Sequence, residues 1–145
     1  KLVEEIDNQV QKTVAEGWKV LAWGHKIEWI WNFYAPTILE VDETMTSFKE
    51  EVFGPVASLI KAIDLDDAVR IANNSDFGLC GCVFGDKPEQ TRTVARKIHT
   101  WMVFINKPAW SKASLPFWGV KKSGFGKENG PEGLKAFTNK KVIIY

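Results

Sequence analysis

Leu2, Ile6, Val10 and Val14 recur at steps of four, and Val3 widens the stripe. That spacing predicts an amphipathic helix over residues 2–15, closed near Gly17. Residues 18–23, WKVLAW, read as a short strand. Residues 24–32 have little periodicity and read as a loop or hairpin. YAPTILEV (34–41) is extended, with Pro36 near the strand start, where a missing N–H is tolerated. A short helical turn is expected over 48–53. Beyond Gly54-Pro55 the pattern becomes regular. A strand is predicted at 56–63, then a helix at 64–75 capped by Asp64 or Asp66, with Ala68, Ile71 and Ala72 facing inward. A Gly-rich approach to a short buried strand follows at 77–85. The next helix covers 87–99, with Pro88 in its first turn and Val94, Ala95 and Ile98 on one face. MVFIN (102–106) is a continuous apolar strand, as in a sheet covered on both sides. The order βαβαβ from 56 to 106 predicts parallel strands joined by right-handed crossovers. The expected fold is therefore α/β: a mostly parallel βαβ sheet of about five strands, flanked by helices.

The pattern then changes. Residues 107–133 are aperiodic and rich in Gly, Pro and Lys, and a loop of that length inside one domain is usually functional. A brief helix is predicted at 131–138 and a terminal strand at 140–145, KKVIIY. That strand has no evident local partner, so docking on another subunit is expected. No repeat and no low-complexity segment interrupts the chain.

At 145 residues the chain is one domain or a piece of one. Its net charge is +1 with both signs interspersed, which argues against nucleic acid as a partner because that needs a basic patch. No run of about 18 apolar residues exists, so no membrane span is expected. The first residues carry Glu4, Glu5 and Asp7, the wrong chemistry for a secretory leader, and a cytoplasmic location is the expectation. Cys80 and Cys82 lie one residue apart, poorly placed for a disulfide if both sit on one strand. Two thiols and two distant histidines make no metal-ligand pattern. Seven tryptophans in 145 residues are unusual. They read as core or interface packing, or as a ring-lined surface for a ligand or partner.

Residue types alone single out no catalytic group. There is no G-x-S-x-G, and His25 and His99 lie in unrelated settings. SGFGKENG holds a G-x-G but lacks the strand before it and the long helix after it. Cys80 has no basic neighbour in sequence to activate it. Glu50 and Glu51 in EEVFGPV are adjacent, so on a regular backbone they point apart and cannot share a proton.

Taken together, FYAPTILEV, EEVFGPV, AVRIANNSDFGL, MVFIN and LPFWGVKKSGFGKENGPEG resemble the C-terminal part of the aldehyde dehydrogenase superfamily, in its order and spacing across nearly all of the chain. KLVEEIDNQVQKTVAEG and WSKASLPF most resemble the succinate-semialdehyde dehydrogenase branch. The resemblance implies NAD or NADP as cofactor, with Glu51 accepting from the ribose hydroxyls and Phe53 lying against the nicotinamide ring. It places Asn106 and the loop from Lys107 to Phe117 beside the aldehyde tunnel, with Asn106 and Phe117 as substrate-lining residues. It implies a homo-oligomer.

The resemblance also implies that the nucleophilic cysteine, the general-base glutamate, the oxyanion asparagine and the dinucleotide-binding domain lie N-terminal to this segment. Residues 1–145 are then a single truncated catalytic-domain-like module. It holds no catalytic residue, is inactive alone, and could act with a separately encoded N-terminal portion. The family usually carries glycine or another small residue where this chain has Trp23, Trp31, Trp101 and Trp118. The alternative reading is a non-catalytic fold remnant that oligomerises through its aromatic surface and its terminal strand.

Overall fold

A computed structural model describes residues 1–17, 19–27 and 32–145. It divides into two units, Lys1–Asn74 and Ser75–Tyr145. The predicted strand at 18–23 and loop at 24–32 fall partly outside the described residues, and Trp18, Trp29 and Trp31 lie outside them altogether.

The first unit opens with α1 (Leu2–Ala15) and β1 (Lys19–Ala22), then β2 (Thr37–Glu40), α2 (Thr46–Lys49), β3 (Val56–Leu59) and α3 (Leu65–Asn73). The stripe read from the sequence is the buried face of α1: Ile6 and Val10 are buried with Tyr34, Leu39, Val41 and Met45. Val3, Val14, Val20, Val52, Val56 and Ile60 pack around this cluster. Gly17 ends α1 at φ 104°, the left-handed region that glycine enters most cheaply. The sheet order is β1-β2-β3, with β1–β2 antiparallel and β2–β3 parallel. Asp64, of the two predicted candidates, caps α3 by accepting from the Asp67 N–H. Ala68 and Ile71 are half-buried, while Ala72 is exposed, because α3 has only a shallow contact face. The helical turn expected at 48–53 sits earlier, at Thr46–Lys49, and the chain from Glu50 is extended.

The second unit holds β4 (Phe77–Gly78), β5 (Cys80–Val83), α4 (Pro88–Lys97), β6 (Met102–Ile105), β7 (Val120–Lys121) and α5 (Gly130–Ala136). β5 and β6 pair in parallel on either side of α4, as the βαβ pattern predicts. The α/β class holds, but one sheet of about five strands does not form among the described residues. β3 pairs with β2, β5 with β6, and β4 pairs antiparallel with β7, giving three sheets. β7 was hidden in the aperiodic 107–133 stretch, since two residues carry no periodicity. The terminal strand is also corrected. Residues 140–145 form no strand, and Val142, Ile143, Ile144 and Tyr145 are exposed.

Polar side chains tie the elements of the first unit. The Thr13 hydroxyl donates to the Gln9 carbonyl at 2.8 Å and accepts from the Ser47 N–H at 3.2 Å. Lys26 bridges Glu4 and Asp7 of α1. Tyr34 donates to Asp7 Oδ1 at 3.2 Å; burial first, then the Asp7 charge, pushes its pKa up to about 12. Glu16 turns back from the end of α1 to cap α2. One carboxylate oxygen accepts from the Thr46 N–H at 2.8 Å and the other from the Thr46 hydroxyl at 2.7 Å. The backbone bond, then the hydroxyl bond, holds Glu16 below the usual carboxylate range. Asp42 is held low by Thr44, and Glu43 by Arg70 and Asn74.

Two outcomes follow. Carboxylates depressed in the folded state stabilise it fully above their unfolded pKa, about 4.3 for glutamate. They lose that contribution as pH falls through the folded value. The urea midpoint should therefore drop on acidification below about pH 4, and Glu16→Gln should make the drop shallower; an unchanged profile in the variant contradicts the capping role. Trp23 sits at φ 50° and is 65% exposed, a backbone that disfavours a bulky residue. Trp23→Gly should raise unfolding stability by ~1 kcal/mol, since left-handed geometry costs an L-residue ~1–2 kcal/mol and the glycine's greater unfolded-state entropy offsets part of that.

Candidate functional site

The segment from Glu50 to Pro55 explains itself once its packing is seen. Glu50 leaves α2 at φ −104°, ψ 146°, and side chains on extended backbone alternate in direction. Val52 packs on the core, which turns its neighbours Glu51 and Phe53 away from it. Glu50 is taken up by α1: Gln9 Nε2 donates to its Oε2 at 3.1 Å, and Lys12 Nζ lies 3.7 Å from its Oε1. Glu51 is anchored by its backbone carbonyl alone, which accepts from Gln9 Nε2 at 3.3 Å. Among the described residues its carboxylate has no hydrogen-bond or ion-pair partner. Phe53 is 67% exposed. The two adjacent acids thus do different work, one binding a helix and one left open.

Gly54 makes this corner possible. A Cβ there would stand 2.4 Å from Ile6 Cδ1 and 2.9 Å from Ile6 Cγ1. Pro55 then passes its carbonyl to the Thr37 N–H at 2.8 Å, fixing the corner to β2. Around it lies a cleft of about 310 Å³, lined by Leu2, Glu5, Ile6, Gln9, Glu50, Glu51 and Phe53. An unengaged carboxylate and an exposed ring two residues apart fit a vicinal diol next to a flat heterocycle.

The second unit carries its own cleft of about 300 Å³, lined by Trp101, Met102, Val103, Phe104, Trp110, Lys112, Leu115, Pro116 and Phe117. Phe117 is held there by paired backbone bonds with Glu128, 2.8 Å each way. Asn106 does not line this cleft. Its amide is spent on Gly85: Oδ1 accepts from the Gly85 N–H and Nδ2 donates to the Gly85 carbonyl, both at 2.8 Å. Asn106 stands at φ 53°, a conformation asparagine tolerates well. Its observed work is to clamp the end of β6 to the end of β5.

Sequence reasoning missed three features. Trp101 and Trp118 stack with ring centroids 3.2 Å apart and planes 25° from parallel. Lys127 Nζ lies 4.7 Å over the Trp118 ring and 3.9 Å from Glu132 Oε2. Gln9, on the polar side of α1, gave no sign that it would hold both Glu50 and Glu51. Neither cysteine forms a disulfide. Burial, then the neighbouring Cys82, pushes the Cys80 thiol up, so it is a poor nucleophile. No cluster of three or more metal-ligating side chains occurs among the described residues. No helix among the described residues is long and apolar enough to cross a membrane.

With that geometry in place, the family is plain. Residues 1–143 match the sequence model of the aldehyde dehydrogenase family, and the chain belongs to it. It is 42% identical over 143 residues to succinate semialdehyde dehydrogenase [NAD(P)+] Sad of Escherichia coli (strain K12), covering 98% of this chain and 31% of that protein. It is 42% identical over 140 residues to the succinate-semialdehyde dehydrogenase [NADP(+)] of Deinococcus radiodurans, covering 96% and 29%. Among solved structures, succinic semialdehyde dehydrogenase from Streptococcus pyogenes in complex with NADP+ superposes with a TM-score of 0.92 at 32% identity, covering 99% of this chain and 32% of that one. Mycobacterium tuberculosis aldehyde dehydrogenase complexed with NAD+ gives 0.89 at 35% identity, covering 95% and 29%. The chain spans about a third of the length of the relatives it matches.

The corner itself is testable. Gly54→Ala should destabilise the fold by ~1–3 kcal/mol, the usual cost of overpacking a filled site. Denaturant titration measures it; an unchanged midpoint means that Ile6 moves aside freely.

Proposed function

We propose that this chain is part of the catalytic portion of an NAD(P)-dependent aldehyde dehydrogenase, similar to the succinate-semialdehyde enzymes, and that it supplies part of the coenzyme site and part of the aldehyde cleft. The observation that carries the reading is the Glu51–Phe53 pair: a carboxylate with no partner among the described residues near an exposed ring, on a corner where Gly54 packs on Ile6 and Pro55 is bonded to Thr37. Glu51 would accept from the ribose hydroxyls, a charge-assisted interaction stronger than a neutral one. Phe53 would hold the nicotinamide in one pose by apolar contact. When bound, the nicotinamide accepts the hydride that leaves the aldehyde carbon. Phe117 would border the aldehyde. Asn106 would contribute only by fixing the loop that begins at Lys107.

The nucleophilic cysteine, its base and the rest of the coenzyme cradle would come from residues N-terminal to this segment in the assembled protein. Residues 1–145 would then act as a single truncated module in a homo-oligomer. They would have no turnover when purified alone. A second reading, self-association without catalysis, draws on the exposed Val142–Tyr145 tail. Sedimentation that shows a salt-resistant oligomer with no gain of activity on adding the missing portion would favour it.

The test is a chimera in which this chain replaces the matching third of the Escherichia coli relative. It should reduce NAD(P)+ with succinate semialdehyde. Glu51→Gln should raise the coenzyme KM about tenfold, the scale of one lost charge-assisted bond, and Phe53→Ala should lower kcat. A chimera whose kinetics ignore both substitutions would overturn the assignment.

A further inference from the structure

Three residues on one face of α1 grip the segment that carries Glu51, and they meet it in antiparallel order. Ile6, Gln9 and Thr13 are spaced three and four apart, so they stand one above another on the helix. Ile6 packs against the space where a Cβ on Gly54 would be. Gln9 Nε2 donates to the Glu51 carbonyl at 3.3 Å and to Glu50 Oε2 at 3.1 Å. Thr13 Oγ1 accepts from the Ser47 N–H at 3.2 Å. The helix therefore meets Gly54, then Glu51 and Glu50, then Ser47. The outer contacts are made by buried side chains, Ile6 at 3% exposure and Thr13 at 0%. The middle contact lies at the cleft, whose lining includes Gln9, Glu50 and Glu51. A side-chain amide nitrogen has two donors, and Gln9 spends both on successive residues. One engages the Glu50 carboxylate. The other fixes the Glu51 carbonyl, and with it the rigid peptide plane that joins Glu51 to Val52. With that plane held and Val52 packed on the core, the Glu51 side chain has one direction in which to leave the chain.

We infer that Gln9 is a positioning residue for the coenzyme site: its amide draws Glu50 onto α1 and holds the Glu51 backbone, so that the Glu51 carboxylate is the one left to meet the ribose hydroxyls. The inference rests on the coenzyme reading of Glu51 and adds the group that sets its geometry. Gln9 acts through Glu51 and takes no part in the chemistry. Lys12 does not duplicate it. Its ammonium lies 3.7 Å from Glu50 Oε1, an exposed pair that salt screens and that puts no constraint on the Glu51 backbone. Nor does the fold depend on the Gln9 amide. The Ile6–Gly54 and Thr13–Ser47 contacts hold the two ends of the segment, so losing the amide loosens the middle and leaves the register of the corner in place. Positioning and stability are thereby separable at this residue.

The test has two readouts. The first uses the 145-residue chain alone and NMR relaxation of its backbone amides. The Val52 N–H shares the peptide plane of the Glu51 carbonyl, and its order parameter should be near the rigid value of about 0.85. Gln9→Leu should lower it toward the flexible range, below about 0.6, while the Ser47 and Gly54 amides stay as they are. Gln9→Asn, too short to reach both oxygens, should act like Gln9→Leu. Gln9→Lys, which still offers donors at that reach, should restore the order. The second readout uses the chimera. There Gln9→Leu should raise the coenzyme KM about fivefold, the scale of one neutral hydrogen bond, with a smaller loss in kcat, and Gln9→Lys should recover it. The inference is overturned if Val52 stays rigid in Gln9→Leu, if Ser47 and Gly54 loosen as much as Val52, or if the coenzyme KM holds still in a chimera where Glu51→Gln raises it. A chimera that ignores Glu51→Gln overturns the coenzyme reading instead, and a loosened Val52 then still supports the hold of Gln9 on the corner.

Discussion

The approach of Gly54 to Ile6 sets the geometry on which the first unit's site depends. Ile6 is 3% exposed and belongs to the buried cluster that holds α1 against β2. The chain at Gly54 comes so near that only a hydrogen fits where a Cβ would be. With that contact made, Val52 faces the core and Glu51 and Phe53 face the cleft; a shift of one residue would reverse all three. Pro55, bonded to Thr37, transfers the same register to the β2–β3 pair. The site is therefore a by-product of core packing, which is the cheapest way to hold two functional side chains still.

The two units differ in how much of themselves they bury. Among the described residues, every buried hydrophobic side chain lies in the first unit. In the second, β6 is half-buried along its whole length and the buried positions are Gly78, Thr91, Gly119 and Gly133. Two-stranded sheets have too little area to close a core. This unit is held instead by backbone clamps: Asn106 on Gly85, Phe117 on Glu128, and Ser123 Oγ accepting from the Gly78 N–H at 2.9 Å. Such a unit leaves its apolar residues half-open, and its cleft is part of that open surface.

Much of this was legible in the sequence, for identifiable reasons. α1, α3 and α4 announced themselves through 3.6-residue periodicity and through Asp64 and Pro88 at their starts. The parallel pairing of β5 and β6 followed from the helix between them. Strand partnership beyond that was not legible. β3 looks like the first strand of the βαβαβ run, yet its partner is β2, which lies before it in the chain. Period-two patterns report which face is buried and carry no record of the neighbour. At the site, the resemblance named Glu51 and Phe53, but nothing local showed that Glu50 would be engaged and Glu51 left open, because the difference is made by Gln9 and Lys12 some forty residues away. The resemblance placed Asn106 beside the aldehyde; its bonds to Gly85 were not legible, because that partner is remote in sequence.

The tryptophans are where local and global demands conflict. Of the four non-glycine residues at positive φ among the described residues, Asn106 and Asn129 have amide side chains that suit the conformation, while Trp23 is bulky and stands beside Gly24 at φ 87°. Trp101 and Trp118 are pressed closer than the roughly 4.5–7 Å at which ring centroids usually settle. Of these, Trp23 alone stands on a backbone that glycine would adopt more cheaply. The Trp101–Trp118 stack is capped by Lys127, with Glu132 behind it, and Trp101 forms part of the wall of the second unit's cleft. Trp101 is thus shared between the ring stack and the cleft wall. Replacing Trp101 with glycine would break the stack and remove part of that wall together.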